Sequence, residues 1–223
     1  MRLGKLFVLV LLATGIALAS PILVNDFSFE TLPVSGLPIS CGGTCVYSNT
    51  AISGWTESGL TGITGQLQQG NAGYFTAIPN GVTFAYTSGG VISQTVAPVV
   101  QLGVTYTLQV DVGLRAVCCT LGTVDLMIGG TSILATGITP TAGNFSTFTA
   151  TYTGLAGDVG KTIGIQLSAT HNQGDFDNVR LNDSTIRLND STTSAPEPGT
   201  AFLGVLGLAA MLPVVRMRLH RRG

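Results

Sequence analysis

Lysine is almost missing from this sequence. It occurs only at Lys5 and Lys161, and charged residues of all kinds make up 9% of the 223 residues. With the two ends set apart, residues 20–194 hold four bases (Arg115, Lys161, Arg180, Arg187) against ten acids, a net charge of −6 where the whole chain carries −1. A body without a basic patch excludes nucleic acid as a partner, because such binding runs on Lys and Arg. Histidine is equally scarce, at His171 and His220. No Gly-x-Ser-x-Gly elbow, His-Glu-x-x-His pair or phosphate loop occurs, so the usual marks of hydrolytic, zinc-dependent and nucleotide-dependent catalysis are absent. Amphipathic helical periodicity is missing from the body as well, which leaves strands.

Long apolar runs occur only at the ends. Arg2 and Lys5 precede the apolar stretch Leu6 to Leu12, and Ala17-Leu18-Ala19 follows. Basic region, apolar region and small-residue cleavage site make residues 1–19 a signal peptide for signal peptidase, with Ser20 as the mature start. The other end, residues 195–223, has three parts: Ala195-Pro196-Glu197-Pro198, an uncharged run to Val215, and a basic cluster of Arg216, Arg218, Arg221 and Arg222. Pro198 to Val215 is 18 residues. A bilayer core takes ~20 residues as a helix and about 17 at the least, so this run is long enough for a transmembrane helix at about 198–215. The arginines would remain cytoplasmic.

Pro196, Glu197 and Pro198, placed directly before an apolar span and an arginine cluster, resemble the PEP-CTERM sorting signal of Gram-negative bacteria. The resemblance implies an exosortase-type membrane protease as partner. It also implies a transient inner-membrane anchor, then a body at the cell surface or in the extracellular matrix.

Between the ends lie a domain, residues 20–181, and a polar linker, residues 182–194. A seven-residue tandem duplication, Arg180-Leu181-Asn182-Asp183-Ser184-Thr185-Ile186 followed by Arg187-Leu188-Asn189-Asp190-Ser191-Thr192-Thr193, runs from the end of the domain through the linker. Alternation of apolar and polar residues marks strands. Tyr106, Leu108, Val110 and Val112 alternate with Thr105, Thr107, Gln109 and Asp111; Val124, Leu126 and Ile128 form another such face, as do Phe148, Ala150 and Tyr152, and Ile163, Ile165 and Leu167. Val24 to Glu30 predicts an opening strand with Phe27 and Phe29 on one face. Val82–Tyr86 and Val91–Val96 predict a hairpin across Gly89-Gly90, and the Gly- and Gln-rich stretch 59–73 a surface loop. Trp55 is expected in the core. Many short strands and no helix give an all-β antiparallel sandwich.

An exported chain with four cysteines, Cys41, Cys45, Cys118 and Cys119, is expected to form two disulfides. Four cysteines allow three connectivities. Since a bond between neighbours is strained, Cys41 and Cys45 are each expected to bridge to one of Cys118 and Cys119.

Asn25-Asp26-Phe27-Ser28-Phe29-Glu30, Ile52-Ser53-Gly54-Trp55, Ile78-Pro79-Asn80-Gly81, Ile92-Ser93-Gln94-Thr95-Val96 and Phe176-Asp177-Asn178-Val179, in this order, resemble the galactose-binding-like jelly rolls common in exported PEP-CTERM proteins. The resemblance implies a jelly-roll β-sandwich, often with a structural Ca²⁺, in which first and last strands meet. Asn25, Glu30, Asp175 and Asp177 are the metal candidates, since Ca²⁺ takes six to eight oxygens. Tyr74 and Phe75, beside Gly73, are candidates for stacking on a ligand such as an extracellular polysaccharide. With no catalytic motif, the expectation is a non-catalytic, matrix-associated and carbohydrate-binding module. The alternative is a Ca²⁺-dependent jelly-roll enzyme acting on a glycan or small molecule, as some related jelly rolls are small-molecule cyclases.

Overall fold

Strands dominate the computed structural model, which describes residues 19–59, 64–70, 73–170 and 172–185. Residues 1–18 of the expected signal peptide, most of the duplicated linker, Pro196-Glu197-Pro198, the apolar tail and His171 lie outside the described residues. Among the described residues no helix is long and apolar enough to cross a membrane.

In chain order the strands are β1 (Ser20–Ile22), β2 (Ile39–Ser40), β3 (Cys45–Tyr47), β4 (Thr56–Ser58), β5 (Thr64–Gln69), β6 (Thr83–Thr87) and β7 (Val91–Val99). Then come β8 (Thr105–Leu114), β9 (Thr123–Ile128), β10 (Thr131–Leu134), β11 (Asn144–Thr153), β12 (Thr162–Ser168) and β13 (Gly174–Asp183). The larger sheet runs β11-β8-β13-β6-β5-β3-β2, and the smaller runs β10-β9-β12-β7-β4. Strand β1 pairs with the end of β13, Ser20 opposite Asp183, beyond the point where β6 leaves it. First and last strands therefore meet, in an antiparallel sandwich of the jelly-roll kind.

The core lies between the sheets and follows the alternation of the sequence. Tyr106, Leu108, Val110 and Val112 of β8 face Val124, Leu126, Ile128, Ile163, Ile165 and Leu167 of the smaller sheet, with Phe176 and Leu181 of β13 beside them. Each fully buried side chain of this kind contributes roughly 1.5–3 kcal/mol. Trp55 belongs to the same core, its ring 5.4 Å from that of Phe29.

Three expectations are corrected. Residues 24–30 form a turn, not a strand: Asp26 and Phe29 have φ of 44° and 58°, and Phe29 N donates to Asp26 O at 3.1 Å. The turn buries Phe29 and leaves Phe27 exposed, so the two do not share a face. Strands β6 and β7 are present but do not pair. They belong to opposite sheets, and the link through Gly89-Gly90 crosses the sandwich. Within the supposed loop 59–73, β5 is a buried strand of the larger sheet. Its polar residues serve loop backbone: Gln66 Nε2 donates to Phe29 O at 2.6 Å and to Thr31 O at 3.1 Å. Gly65 is required because a Cβ there would lie 1.9 Å from Ser48 O.

Candidate active site

Strand β6 is buried on both faces. Ala85 faces the core between the sheets, while Phe84 and Tyr86 point the other way. A second apolar cluster covers that outer face: Cys45, Leu67, Phe75, Phe84 and Tyr86, with Tyr47, Tyr74 and Phe145 packed against it. Phe75 sits inside this cluster, edge-on to Phe84 at 5.3 Å and tilted against Phe145 at 4.3 Å. A Cβ on Gly113 would meet both the Phe75 and the Phe145 rings at 2.8 Å, so the glycine that ends the alternation of β8 makes room for them. Phe75 is therefore core. The expectation that it touches a ligand is corrected, because its ring is spent on packing.

Tyr74 lies differently. It lines a cavity of about 330 Å³ together with Tyr47, Tyr86, Asn49, Arg115 and Gln173. The cavity rests on the aromatic cluster, and the cystine of Cys41 and Cys45 forms another part of its wall. Tyr86 is held by its hydroxyl, which donates to Ser48 O at 2.9 Å and also bonds Asn49 Oδ1. Burial pushes its phenol well above the ordinary range.

At the cavity wall stands a buried ion pair. Asp111 and Gly113 alternate with the core residues of β8, and the same period carries Arg115 to the outer face. Across the sheet, Asp175 is in register with Gly113. Arg115 Nε donates to Asp175 Oδ2 at 3.0 Å and Nη2 to Oδ1 at 3.1 Å. Gln173 Nε2 adds a third bond to Oδ1 at 2.9 Å. The guanidinium lies over the Tyr74 ring at 4.1 Å, a cation–π contact. Asp175 is fully buried and Arg115 is 6% exposed. Burial pushes the Asp175 carboxyl up, and Arg115 and Gln173 partly offset that.

The metal candidates divide. Glu30 Oε1 accepts from Val82 N at 2.8 Å and Thr83 N at 2.7 Å, and Asp177 Oδ2 accepts from Asn80 N at 2.8 Å. Both carboxylates thus converge on residues 80–83. Burial, with Asp111 and Glu30 adding repulsion, pushes the Asp177 carboxyl up to about 7. Asp26 carries a buried Oδ2 without a hydrogen bond, and Glu30 is among the charges that raise its pKa after burial. Asp175 and Asn25 do not join this group. Asp175 is committed to Arg115, and Asn25 pairs through its backbone with Gln94, whose Oε1 accepts from its N–H at 2.8 Å. Among the described residues no three His, Cys, Asp or Glu side chains are grouped as metal ligands.

The disulfides are local: Cys41 bonds Cys45 and Cys118 bonds Cys119. The expected cross-bridges are corrected. Gly42 and Gly43, at φ of 67° and 91°, turn the chain so that β2 and β3 pair and bring Cys41 to Cys45. Cys118 and Cys119 both take positive φ in the loop between β8 and β9. That loop is tied to the site by Thr120 N donating to Gln173 O at 3.3 Å.

Of the cavity residues only Tyr74 was singled out as a ligand contact from sequence, and Asp175 was assigned to a metal. Arg115, Gln173, Tyr47 and Asn49 were missed. A signal existed: in a body with four bases, Arg115 continues the outward positions of a clear strand.

The family model for HpiC1-like proteins, described as HpiC1 cyclase, matches residues 20–182. Among solved structures, the chain is similar to the Stig cyclase Fisc from Fischerella sp. TAU in complex with (3Z)-3-(1-methyl-2-pyrrolidinylidene)-3H-indole. Identity is 23% over 74% of this chain and 98% of that one, with a TM-score of 0.61. It is also similar to a cyclase from Fischerella sp. TAU in complex with 4-(1H-Indol-3-yl)butan-2-one, at 23% identity over 74% and 98% of the two chains and a TM-score of 0.59. No curated protein matches. These likenesses agree on the sandwich, and the family match overturns the expectation of a non-catalytic, carbohydrate-binding module.

Proposed function

The chain belongs to the HpiC1-like cyclase family, and from that premise we propose that it is an enzyme closing a ring in a small aromatic molecule held in the cavity beside Arg115. The observation that carries this reading is the Arg115–Asp175 pair, buried beneath tyrosine walls on the outer face of the larger sheet. Ring closure is intramolecular. The protein must hold one conformer of the substrate, with reacting atoms about 3–3.5 Å apart, and stabilise the charge that develops. Tyr47, Tyr74 and Tyr86 supply flat walls for the first task. Arg115 supplies a fixed positive donor for the second. Asp175 orients it by the two-bond fork, and Gln173 holds Asp175 in turn. The Fischerella complexes contain indoles substituted at the 3-position, so an indole whose 3-side chain carries both a carbonyl and an alkene is the first substrate to try. The purified protein should convert it to an isomer of unchanged mass. Asp175→Asn, which loses the charge and one of the two acceptors that fix Arg115, should lower turnover by about 10²–10³-fold while circular dichroism stays that of a β-sandwich. Full activity in a folded Asp175→Asn protein would refute the orienting role of Asp175.

We also propose a structural Ca²⁺ between Glu30 and Asp177. Support comes from hard oxygen donors alone, from two carboxylates converging on residues 80–83, and from the orphaned Asp26 Oδ2 nearby. The ion would tie the turn 25–30 to β13. Binding stabilises the folded state by about 2.7 kcal/mol at 100-fold over Kd. Chelator should therefore lower the Tm, and Ca²⁺ should restore it better than Mg²⁺, which demands a tighter octahedral shell. Glu30→Gln should remove the difference. Identical melting in chelator and in millimolar Ca²⁺ would mean no such site.

For location, we propose export by residues 1–19 and sorting by residues 195–223, with an exosortase-type protease acting at the tail. The three-part pattern of the tail supports this. Replacing Pro196, Glu197 and Pro198 together by alanine should leave uncut precursor in the inner membrane. Normal processing of that variant would contradict the sorting role.

A further inference from the structure

Arg115 has five N–H donors in a rigid fork. Nε and Nη2 are committed to the two oxygens of Asp175. Among the described residues Nη1 has no protein acceptor, yet it is not one of the buried polar atoms sealed from solvent. The guanidinium lines the cavity and cannot swing, since Asp175 holds it at its edge and the Tyr74 face at its plane. It is a donor aimed by its surroundings and left unspent.

The charge count narrows what it would take. Among the described residues Arg115 is the one ionic side chain lining the cavity, and Asp175 already neutralises it. A carboxylate ligand would bring a second negative charge close to Asp175 and leave the group with a net charge in a partly dry place, which is costly. A hydrocarbon would cover Nη1 and leave it unpaired, which is also costly. A neutral carbonyl oxygen accepts a charge-assisted bond and adds no charge. The walls select the remainder of the ligand. Tyr86 has its hydroxyl occupied, and Tyr47 stands edge-on to it at 6.1 Å, so this side offers ring surface.

We propose that Arg115 is the specificity-determining residue of this cavity, taking through Nη1 the carbonyl oxygen of a neutral, aryl-bearing small molecule. The proposal rests on the reading of the cavity as the substrate pocket and names the class of compound it admits. During ring closure the same bond would stabilise negative charge gathering on that oxygen.

The test is a binding series on the purified full-length protein, read by calorimetry and by the ¹⁵N resonances of the arginine guanidinium. Benzylacetone, butylbenzene and hydrocinnamate share an aryl ring and differ in carrying a ketone, no oxygen, or a carboxylate. Benzylacetone should bind about 10-fold or more tighter than either of the others, and it alone should shift the Arg115 signal. Arg115→Met should bring benzylacetone and butylbenzene to equal affinity. Should that variant fail to fold, Arg115→Met with Asp175→Asn removes both charges and should give the same levelling. Equal affinities in the wild-type protein, preference for hydrocinnamate, or binding of none of the three overturns the proposal. The ranking needs no turnover. A protein that ranks the ligands as expected but cyclises nothing keeps this inference and loses the proposed function, and turnover with a flat ranking does the reverse.

Discussion

Taking a guanidinium and a carboxylate out of water costs several kcal/mol for each ion, and only close pairing with full hydrogen bonding returns it. Arg115 and Asp175 meet that condition by a two-bond fork, with Gln173 adding a third bond to the carboxylate. The rest of the site depends on this pair. It requires β8 and β13 to be neighbours in one register, with Gly113 opposite Asp175. It requires a lid of apolar side chains to keep the outer face partly dry. It also holds the plane of Arg115 against Tyr74, which gives the cavity a fixed charged donor.

A jelly roll ordinarily buries one face of each sheet and wets the other. Here the larger sheet carries a second apolar cluster on its outer face, built from β5, β6 and the segments around Cys45 and Phe75. The loops that supply this cover are short of regular structure and are fastened instead by local bonds. The Cys41–Cys45 cystine closes the hairpin at the cavity wall, and Gln69 holds Phe75 by both its N–H and its carbonyl, each at 2.9 Å. Midway along β13, a bulge at Asn178 lets Val179 N reach Phe27 O and sets Asp177 beside the turn that carries Glu30. One strand thus serves the cavity through Asp175 and the carboxylate pair through Asp177.

Strands β8, β9, β11 and β12 were legible because each packs one face on the core, and alternation reports that directly. Strand β5 was not. Its glycine and glutamines look like a loop, but Gln66 is hidden because it bonds the backbone of the turn at Phe29 and Thr31. The turn itself was mistaken for a strand because positive φ at Asp26 and Phe29 leaves no mark in an apolar pattern. Period two put Asp175 and Asp177 on one face, which is right, but could not say that the face is covered. Arg115 and Asp175 are 60 residues apart, and only the strand register makes them partners. The disulfides were misread because a bond between neighbouring cysteines is expected to be strained, and because nothing in the spacing reports that the Gly42-Gly43 turn brings Cys41 to Cys45. The sequence holds no short catalytic motif, so the chain read as non-catalytic, and the family match is what overturns that reading.

The most direct measurement of this account is a crystal structure of the protein with a 3-substituted indole bound. The account predicts the indole seated against Tyr47, Tyr74 and Tyr86, with Arg115 still forked on Asp175 and within hydrogen-bond reach of the ligand. A ligand bound elsewhere on the sandwich, or an Arg115 that points away from Asp175 into solvent, would contradict it.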